Sequence, residues 1–225
     1  MRHRALMGRY GKKVLLFDGK DDYVEVPVSS VINNTFVGRY WTVEVMLKRT
    51  GHKAEGAAMT WSTGYTRAWF ETTRDFRLEG SYIYADGTRS PWVSSYYNKV
   101  GELVHLVFIR DNLEGRVYKN GELLWSGGLE DKDGHPPQYF YIAHGVEIEW
   151  LEGLYFLFRI YNRVLTEDEI RRNKWHALNL RATDVRDGLV LELIPDTLDC
   201  EAGVWYDNSG YGNHGTIYGA RCIEI

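Results

Sequence analysis

Apolar and polar residues alternate in short runs along most of the chain, with a period of two rather than 3.6, so the pattern predicts strands. In residues 41–47, Trp41, Val43, Val45 and Leu47 alternate with Thr42, Glu44 and Met46. That spacing predicts a central strand with one buried face. Residues 14–17 and 23–26 flank Asp18-Gly19-Lys20-Asp21-Asp22, where Gly gives the backbone freedom and Asp can accept from nearby amides, so strand, tight turn and strand follow. Further strands are predicted at 57–61, 67–71, 76–78, 82–84, 103–110 and 116–119. Asn120-Gly121 then supplies two residues that tolerate the positive φ of a type I′ hairpin, which makes 122–125 the returning strand. Strand character resumes at 138–142, 154–161, 189–193 and 216–218.

Helical signals concentrate in one place. Thr166-Glu167-Asp168-Glu169 sets a hydroxyl at the N-cap and a carboxylate three residues later, a capping box that residues 170–175 can extend. Residues 131–137 read as a polar loop, 179–187 as a linker, and 207–215 as a Gly/Asn-rich surface turn. The sum predicts an all-β, antiparallel two-sheet β-sandwich with one short helix near its C-terminal third, formed as one domain over residues 1–225.

Composition narrows the function classes. Hydrophobic residues at 44% and charged residues at 26% are globular averages, against disorder or a membrane protein. No stretch approaches the ~20 apolar residues of a spanning helix. The net charge of −4 and scattered Lys and Arg give no field for phosphates, so nucleic acid is excluded as the expected partner. Aromatics are in excess, with 16 Tyr and 8 Trp, and such rings fill cores but also form sugar platforms and protein interfaces. The opening Met-Arg-His-Arg-Ala-Leu-Met-Gly lacks the apolar core of a secretory signal, so the expected location is a virion, the cytoplasm, or the exterior by a non-standard route. Cys200 and Cys222 leave two readings open: buried thiols, or a disulfide of the kind tolerated outside mesophilic cytosol. Gln138 is the sole glutamine, and scarcity of thermolabile amides is a hint of a thermophilic habitat.

Several segments in order resemble the laminin G-like, concanavalin A-like lectin/glucanase superfamily. Leu16-Phe17-Asp18-Gly19-Lys20-Asp21-Asp22-Tyr23-Val24-Glu25-Val26-Pro27 is similar to that family's opening hairpin, and Tyr40-Trp41-Thr42-Val43-Glu44-Val45 to its next core strand. Val104-His105-Leu106-Val107 and Val117-Tyr118-Lys119-Asn120-Gly121-Glu122 resemble the central hairpin, and 158–166 with Glu169-Ile170 the closing strand and helix. The resemblance implies a jelly roll. It also implies a displaced tail, because Gly188-Leu189-Val190-Leu191 with 207–220 resembles the segment that normally precedes the opening hairpin. Residues 188–225 are thus expected to supply those strands, as in a circular permutant, and to close their own sheet. The alternative is tail exchange with a neighbour, giving a homo-oligomer.

Candidate chemistry follows from the same segments. Glu147, Glu149 and Glu152 resemble the acidic motif of retaining glucanases, with Glu149 where an Asp is usual, but they precede the closing strand, so a solvated acidic loop is the preferred reading and no catalysis is expected. Asp18, Asp21, Asp22 and Asp207 offer hard oxygens, and the resemblance implies a structural Ca2+ site there; turn capping is the preferred role and no cofactor is required. No HxxxH, GxSxG or Walker-type motif occurs. The dense aromatic stretch of residues 61–97 falls where the family's middle strands form a concave sheet, and Trp61, Tyr65, Trp69, Tyr84, Trp92 and Tyr97 are the expected ligand contacts. The function expected is non-catalytic recognition of a glycan or protein surface, as in lectin-like adhesion; the alternatives are a virion assembly protein and, behind it, a β-glucan hydrolase.

Overall fold

The computed structural model describes residues 12–51, 56–62, 67–72, 77–90, 96–97, 99–144 and 150–225, with the backbone alone for 56–62, 67–72, 77–80 and 96–97. The chain opens with β1 (Lys13–Asp18), β2 (Tyr23–Glu25), α1 (Ser30–Val37) and β3 (Tyr40–Arg49). It continues through β4 (Gly56–Ser62), β5 (Arg67–Thr72), β6 (Arg77–Ser81), β7 (Tyr96–Tyr97), β8 (Leu103–Asp111), β9 (Glu114–Lys119) and β10 (Glu122–Gly128). Then come β11 (Tyr139–Ile142), β12 (Glu152–Tyr161), α2 (Glu167–Leu178) and β13 (Leu189–Leu193). The tail adds β14 (Leu198–Asp199), β15 (Val204–Trp205), β16 (Gly215–Tyr218) and β17 (Arg221–Glu224).

Two antiparallel sheets form the predicted sandwich. One runs β10-β9-β8-β3-β12-β1-β17, with β13 also paired to β12. The other runs β14-β15-β16-β2-β11-β4-β5-β6-β7. The core between them draws on both sheets and on the tail, from Leu15, Phe17, Val43, Val45, Phe108 and Phe140 to Val190, Leu191, Leu193 and Trp205. The Trp205 indole donates to the Ile194 carbonyl at 2.8 Å, which satisfies the one polar atom its burial would otherwise orphan. Tail strands pair within the chain: β13 on β12, β16 on β2 and β17 on β1. Cys200 and Cys222 are joined in a disulfide, tying the β14–β15 turn to β17 across the two sheets.

Three expectations are corrected. Among the described residues there are two α-helices, not one: Ser29 caps α1 by accepting from the Ile32 amide, and Ile32, Thr35 and Phe36 bury the i, i+3, i+4 face. Tyr82, Ile83 and Tyr84 form no strand; Ile83 and Tyr84 make isolated bridges to Arg89 and Gly134. Residues 179–187 are no linker, since Thr183 and Val185 are buried and the Arg181 carbonyl and Thr183 amide both bond to buried charges.

Those charges explain a further difference, that β3 is buried on both faces. Glu44 on β3, Arg159 on β12 and Glu192 on β13 stand in register across three neighbouring strands, all fully buried. The Arg159 guanidinium donates through Nε to Glu192 Oε1 at 2.9 Å, through Nη2 to the Arg181 carbonyl at 2.9 Å, and reaches Glu44 Oε2 at 3.4 Å. Asn173 of α2 donates to the same Glu44 oxygen at 2.8 Å, and His105 Nε2 lies 3.4 Å from Glu44 Oε1, an ion-pair separation. Glu192 also accepts from Thr183, Arg186 and Asn208. Burial works to raise the Glu44 carboxyl, but His105, Arg159 and Asn173 outweigh it and hold the group below its ordinary value. Helix α2 and residues 179–187 therefore lie over the outer face of the first sheet as a third layer.

Arg159→Met removes the cation shared by two buried carboxylates, only Glu192 keeping a second guanidinium in Arg186, and is expected to cost about 3–5 kcal/mol, read from urea unfolding. Glu44, lowered from 4.5, contributes stability that is present above that pH and lost as pH falls through its folded value. Wild type should thus lose more stability on acidification below pH 4.5 than Glu44→Gln does.

Candidate functional site

The outer face of the second sheet carries an open aromatic surface. On β2, Val24 points into the core while Tyr23 and Glu25 take the other phase; on β11, Phe140 and Ile142 are buried while Tyr139 and Tyr141 alternate with them. On β16, Ile217 packs on the core and Tyr218 points away. The register sets Tyr218 opposite Tyr23, and Glu25 between Tyr141 and Thr216. Four tyrosines from three remote segments thereby meet.

Their rings form two stacks. Tyr23 and Tyr218 are stacked with centroids 4.6 Å apart, and Tyr139 and Tyr141 at 5.9 Å. The stacks meet edge to face, Tyr23 against Tyr141 at 5.5 Å and 85°. His144 packs on both Tyr23 and Tyr141 and is itself backed by Trp150 at 4.1 Å. Tyr23 and Tyr141 are half-buried supports, whereas Tyr139 and Tyr218 keep 43% and 41% of their surface in water. Burial, helped by the Glu25 charge and by neighbouring tyrosines, raises the hydroxyls of Tyr23 and Tyr141 above the ordinary 10.

Local backbone fixes these positions. Ala143 adopts φ 65°, a left-handed conformation uncommon for a non-glycine residue, and turns the chain so that His144 can bridge to Trp150. Gly219, at φ 74°, follows Tyr218, and a Cβ there would lie 2.1 Å from Asp22 Oδ1. Only glycine fits between that turn and the buried Asp22 carboxyl. Asp22 accepts from the Asp18 amide, and burial chiefly raises its carboxyl, against that bond and the Arg221 charge.

The expected contact residues fall differently. Tyr84 is a correction: it is fully buried, its hydroxyl accepts from the Glu130 amide at 2.8 Å, and its ring lies under Arg110 and Lys132, so it offers no face to a ligand. Trp61, Trp69 and Tyr97 have their backbones on β4, β5 and β7 of the same sheet, where the register runs Tyr141–Thr60–Trp69; their side chains, with Tyr65 and Trp92, lie outside the described residues.

Glu147 and Glu149 also lie outside the described residues. Glu152 begins β12 opposite Asp18, and its charge acts on buried Arg49, a structural pairing; Gly51 makes room for it, as a Cβ there would meet its carboxylate at 1.6 Å. The acidic residues divide. Carboxylate oxygens of Asp18, Asp21 and Asp22 lie within 4.8 Å of one another and could hold a hard cation, while Asp18 also accepts from the Lys20 amide. Asp207 stands apart and organises its own turn, accepting from the amides of Glu192, Ser209 and Asn213.

The sequence matches the concanavalin A-like lectin/glucanases superfamily, in its laminin G form, over residues 18–171, and the chain belongs to that family. No curated protein matches it. Among solved structures, a Bacteroides ovatus protein whose proposed role is carbohydrate binding superposes with TM-score 0.73 at 18% identity, covering 96% of this chain; the chain spans 60% of that protein's length. A Ruminococcus gnavus sialidase module of the CBM40 type, solved with α2,3-sialyllactose, gives 0.59 at 13% identity over 73% of this chain and 98% of its own. A Limulus polyphemus pentraxin gives 0.54 at 14% over 80% and 91%. These likenesses extend the fold relationship.

Tyr23 and Tyr141 should ionise above pH 10 in NMR titrations of ring-labelled protein, and Glu25→Gln should bring both values down toward 10.

Proposed function

We propose that this chain is a non-catalytic carbohydrate-recognition module that takes its ligand on the Tyr139–Tyr141–Tyr23–Tyr218 face. The observation that carries the reading is the pair of exposed rings at fixed positions, each braced by a stacked, half-buried partner. Apolar ring faces held rigid in water cost little further entropy when a sugar's C–H face covers them, and their hydroxyl edges can bond sugar hydroxyls. The proposed carbohydrate-binding role of the Bacteroides ovatus protein and the sialyllactose bound by the sialidase module support the same direction. No cation is required in this reading. The acidic turn at Asp18, Asp21 and Asp22 serves as carboxylate capping, and calcium added after chelation should leave the melting temperature unchanged.

The pairing of β13, β16 and β17 within the chain supports a self-contained module over assembly by tail exchange. It also supports a circularly permuted order: the Ile225 amide donates to the Lys12 carbonyl at 2.9 Å, so a short turn could join residues 225 and 12 and set the tail strands ahead of the opening hairpin.

On a glycan array followed by calorimetry, Tyr139→Ala and Tyr218→Ala should each weaken the best ligand about tenfold, near 1.4 kcal/mol, with the fold retained by circular dichroism. The bound glycan should be recovered uncleaved. Binding untouched by either substitution would move the site elsewhere, and cleavage would make the chain an enzyme.

A further inference from the structure

Tyr139 and Tyr218 are the two exposed ends of the aromatic surface, and they are far apart. Strand β2 runs between β11 and β16, Tyr218 sits at the level of Tyr23, Tyr141 at that of Glu25, and the Val26 amide continues the ladder to the Phe140 carbonyl. Tyr139 therefore lies two strand spacings from Tyr218 across the sheet and four residues along it. Strand spacings of ~4.8 Å and a rise of ~3.4 Å per residue separate their backbones by roughly 16 Å. The inner rings, Tyr141 and Tyr23, are already faced by their partners and by His144 and cannot stack a sugar of their own. The surface thus offers two stacking points with a gap between them, which one pyranose cannot bridge.

The gap has a chemical character. Glu25 occupies it, flanked in register by Tyr141 and by exposed Thr216. A carboxylate there accepts hydrogen bonds from sugar hydroxyls and repels a second carboxylate. Its field already reaches the neighbouring rings, since it helps hold the Tyr23 and Tyr141 hydroxyls protonated. The acidic turn with Asp18 and Asp21 lies beside the Tyr218 end, where Asp22 packs against Gly219.

We propose that the ligand is an extended, uncharged oligosaccharide of several linked pyranoses, stacked at one end on Tyr139 and at the other on Tyr218, with Glu25 receiving hydroxyl bonds from the unit between them. This rests on the carbohydrate-binding reading above and narrows it. It sets the chain apart from the Ruminococcus gnavus module, which is bound to α2,3-sialyllactose, an acidic trisaccharide. Each end contact contributes only when the ligand is long enough to reach both.

The test is calorimetry of the full chain against the best neutral glycan from an array, as a series from monosaccharide to hexasaccharide, with α2,3-sialyllactose and α2,6-sialyllactose alongside. Affinity is expected to rise at least tenfold between disaccharide and tetrasaccharide and then level off. For the tetrasaccharide, Tyr139→Ala and Tyr218→Ala should each remove about tenfold and together return affinity to the disaccharide level. A change that only loosened the fold would weaken all lengths alike. Glu25→Gln should weaken the neutral chain and narrow its advantage over the sialyllactoses. Equal affinity for the monosaccharide and the hexasaccharide, or sialyllactose bound as tightly as the neutral series, would overturn this inference while leaving carbohydrate recognition intact. No binding to any glycan on the array would overturn both.

Discussion

The buried row Glu44–Arg159–Glu192 is the constraint from which the rest of the architecture follows. A guanidinium and two carboxylates cannot remain on an outer sheet face out of water unless nearly every lone pair and proton is met, because uncompensated buried charge costs several kcal/mol. Asn173, Thr183, the Arg181 carbonyl, Arg186 and Asn208 meet them, and they come from α2, from the segment after it and from the tail turn. The row thus recruits three separate parts of the chain to one sheet face. Packing around it, Ile170 and Val185 join Val107 and Tyr161 in an apolar cluster that seals the layer. The geometry is specific: in register on neighbouring strands, the three charges can meet only in one alignment of β3, β12 and β13.

Covering that face is one reason the proposed ligand site lies on the other sheet. The sandwich has two outer faces, and the first sheet's is taken by its own helix and strap. Among the described residues, the outer face of the second sheet exposes Tyr139 and Tyr218, linked through Tyr23 and Tyr141 between them, while other exposed rings stand on α2 at Trp175 and in the tail at Tyr206 and Tyr211. The polar cleft at one end, near Asn34, Arg39 and Asn162, offers one exposed ring, Tyr40, among its described lining residues.

Much of the fold was legible because local chemistry and tertiary need agreed. Asn120 and Gly121 take φ 52° and 83°, as a type I′ hairpin demands, and Thr166 and Glu169 form both halves of the capping box. Helix α1 escaped notice because Asn33-Asn34 and the β-branched residues around them lower helix propensity; the signal that could have found it was Ser29 ahead of Ile32, Thr35 and Phe36. Burial of both faces of β3 was invisible for another reason: Thr42, Glu44 and Met46 read as a polar-leaning phase, and only the later α2 covers them. Of the rings expected as contacts in the dense run, Tyr84 is core, and the face proposed for the ligand lies on the neighbouring strands of the same sheet. The informative signal was phase, not density. Tyr139 and Tyr141 occupy the solvent phase of a strand whose other phase is Phe140 and Ile142, and a ring placed where a polar residue would do is exposed at a cost.

The proposed recognition face inherits a dependence on the tail. Tyr218 stands on β16, which reaches β2 from the far end of the sequence, and the disulfide between Cys200 and Cys222 closes the loop that carries it. Removing Tyr218's strand would expose the Tyr23 ring and the edge of β2 together. Loss of the tail would therefore disrupt the aromatic stack and the sheet edge in one event. Because Gly219 lets the turn after Tyr218 approach buried Asp22, even a single Cβ there would push the ring off its partner. On the proposed reading, ligand binding and tail docking would draw on the same contacts. A glycan that bridges Tyr139 and Tyr218 would couple β11 to β16 across β2, and so stabilise the closed sandwich by the free energy of its own binding.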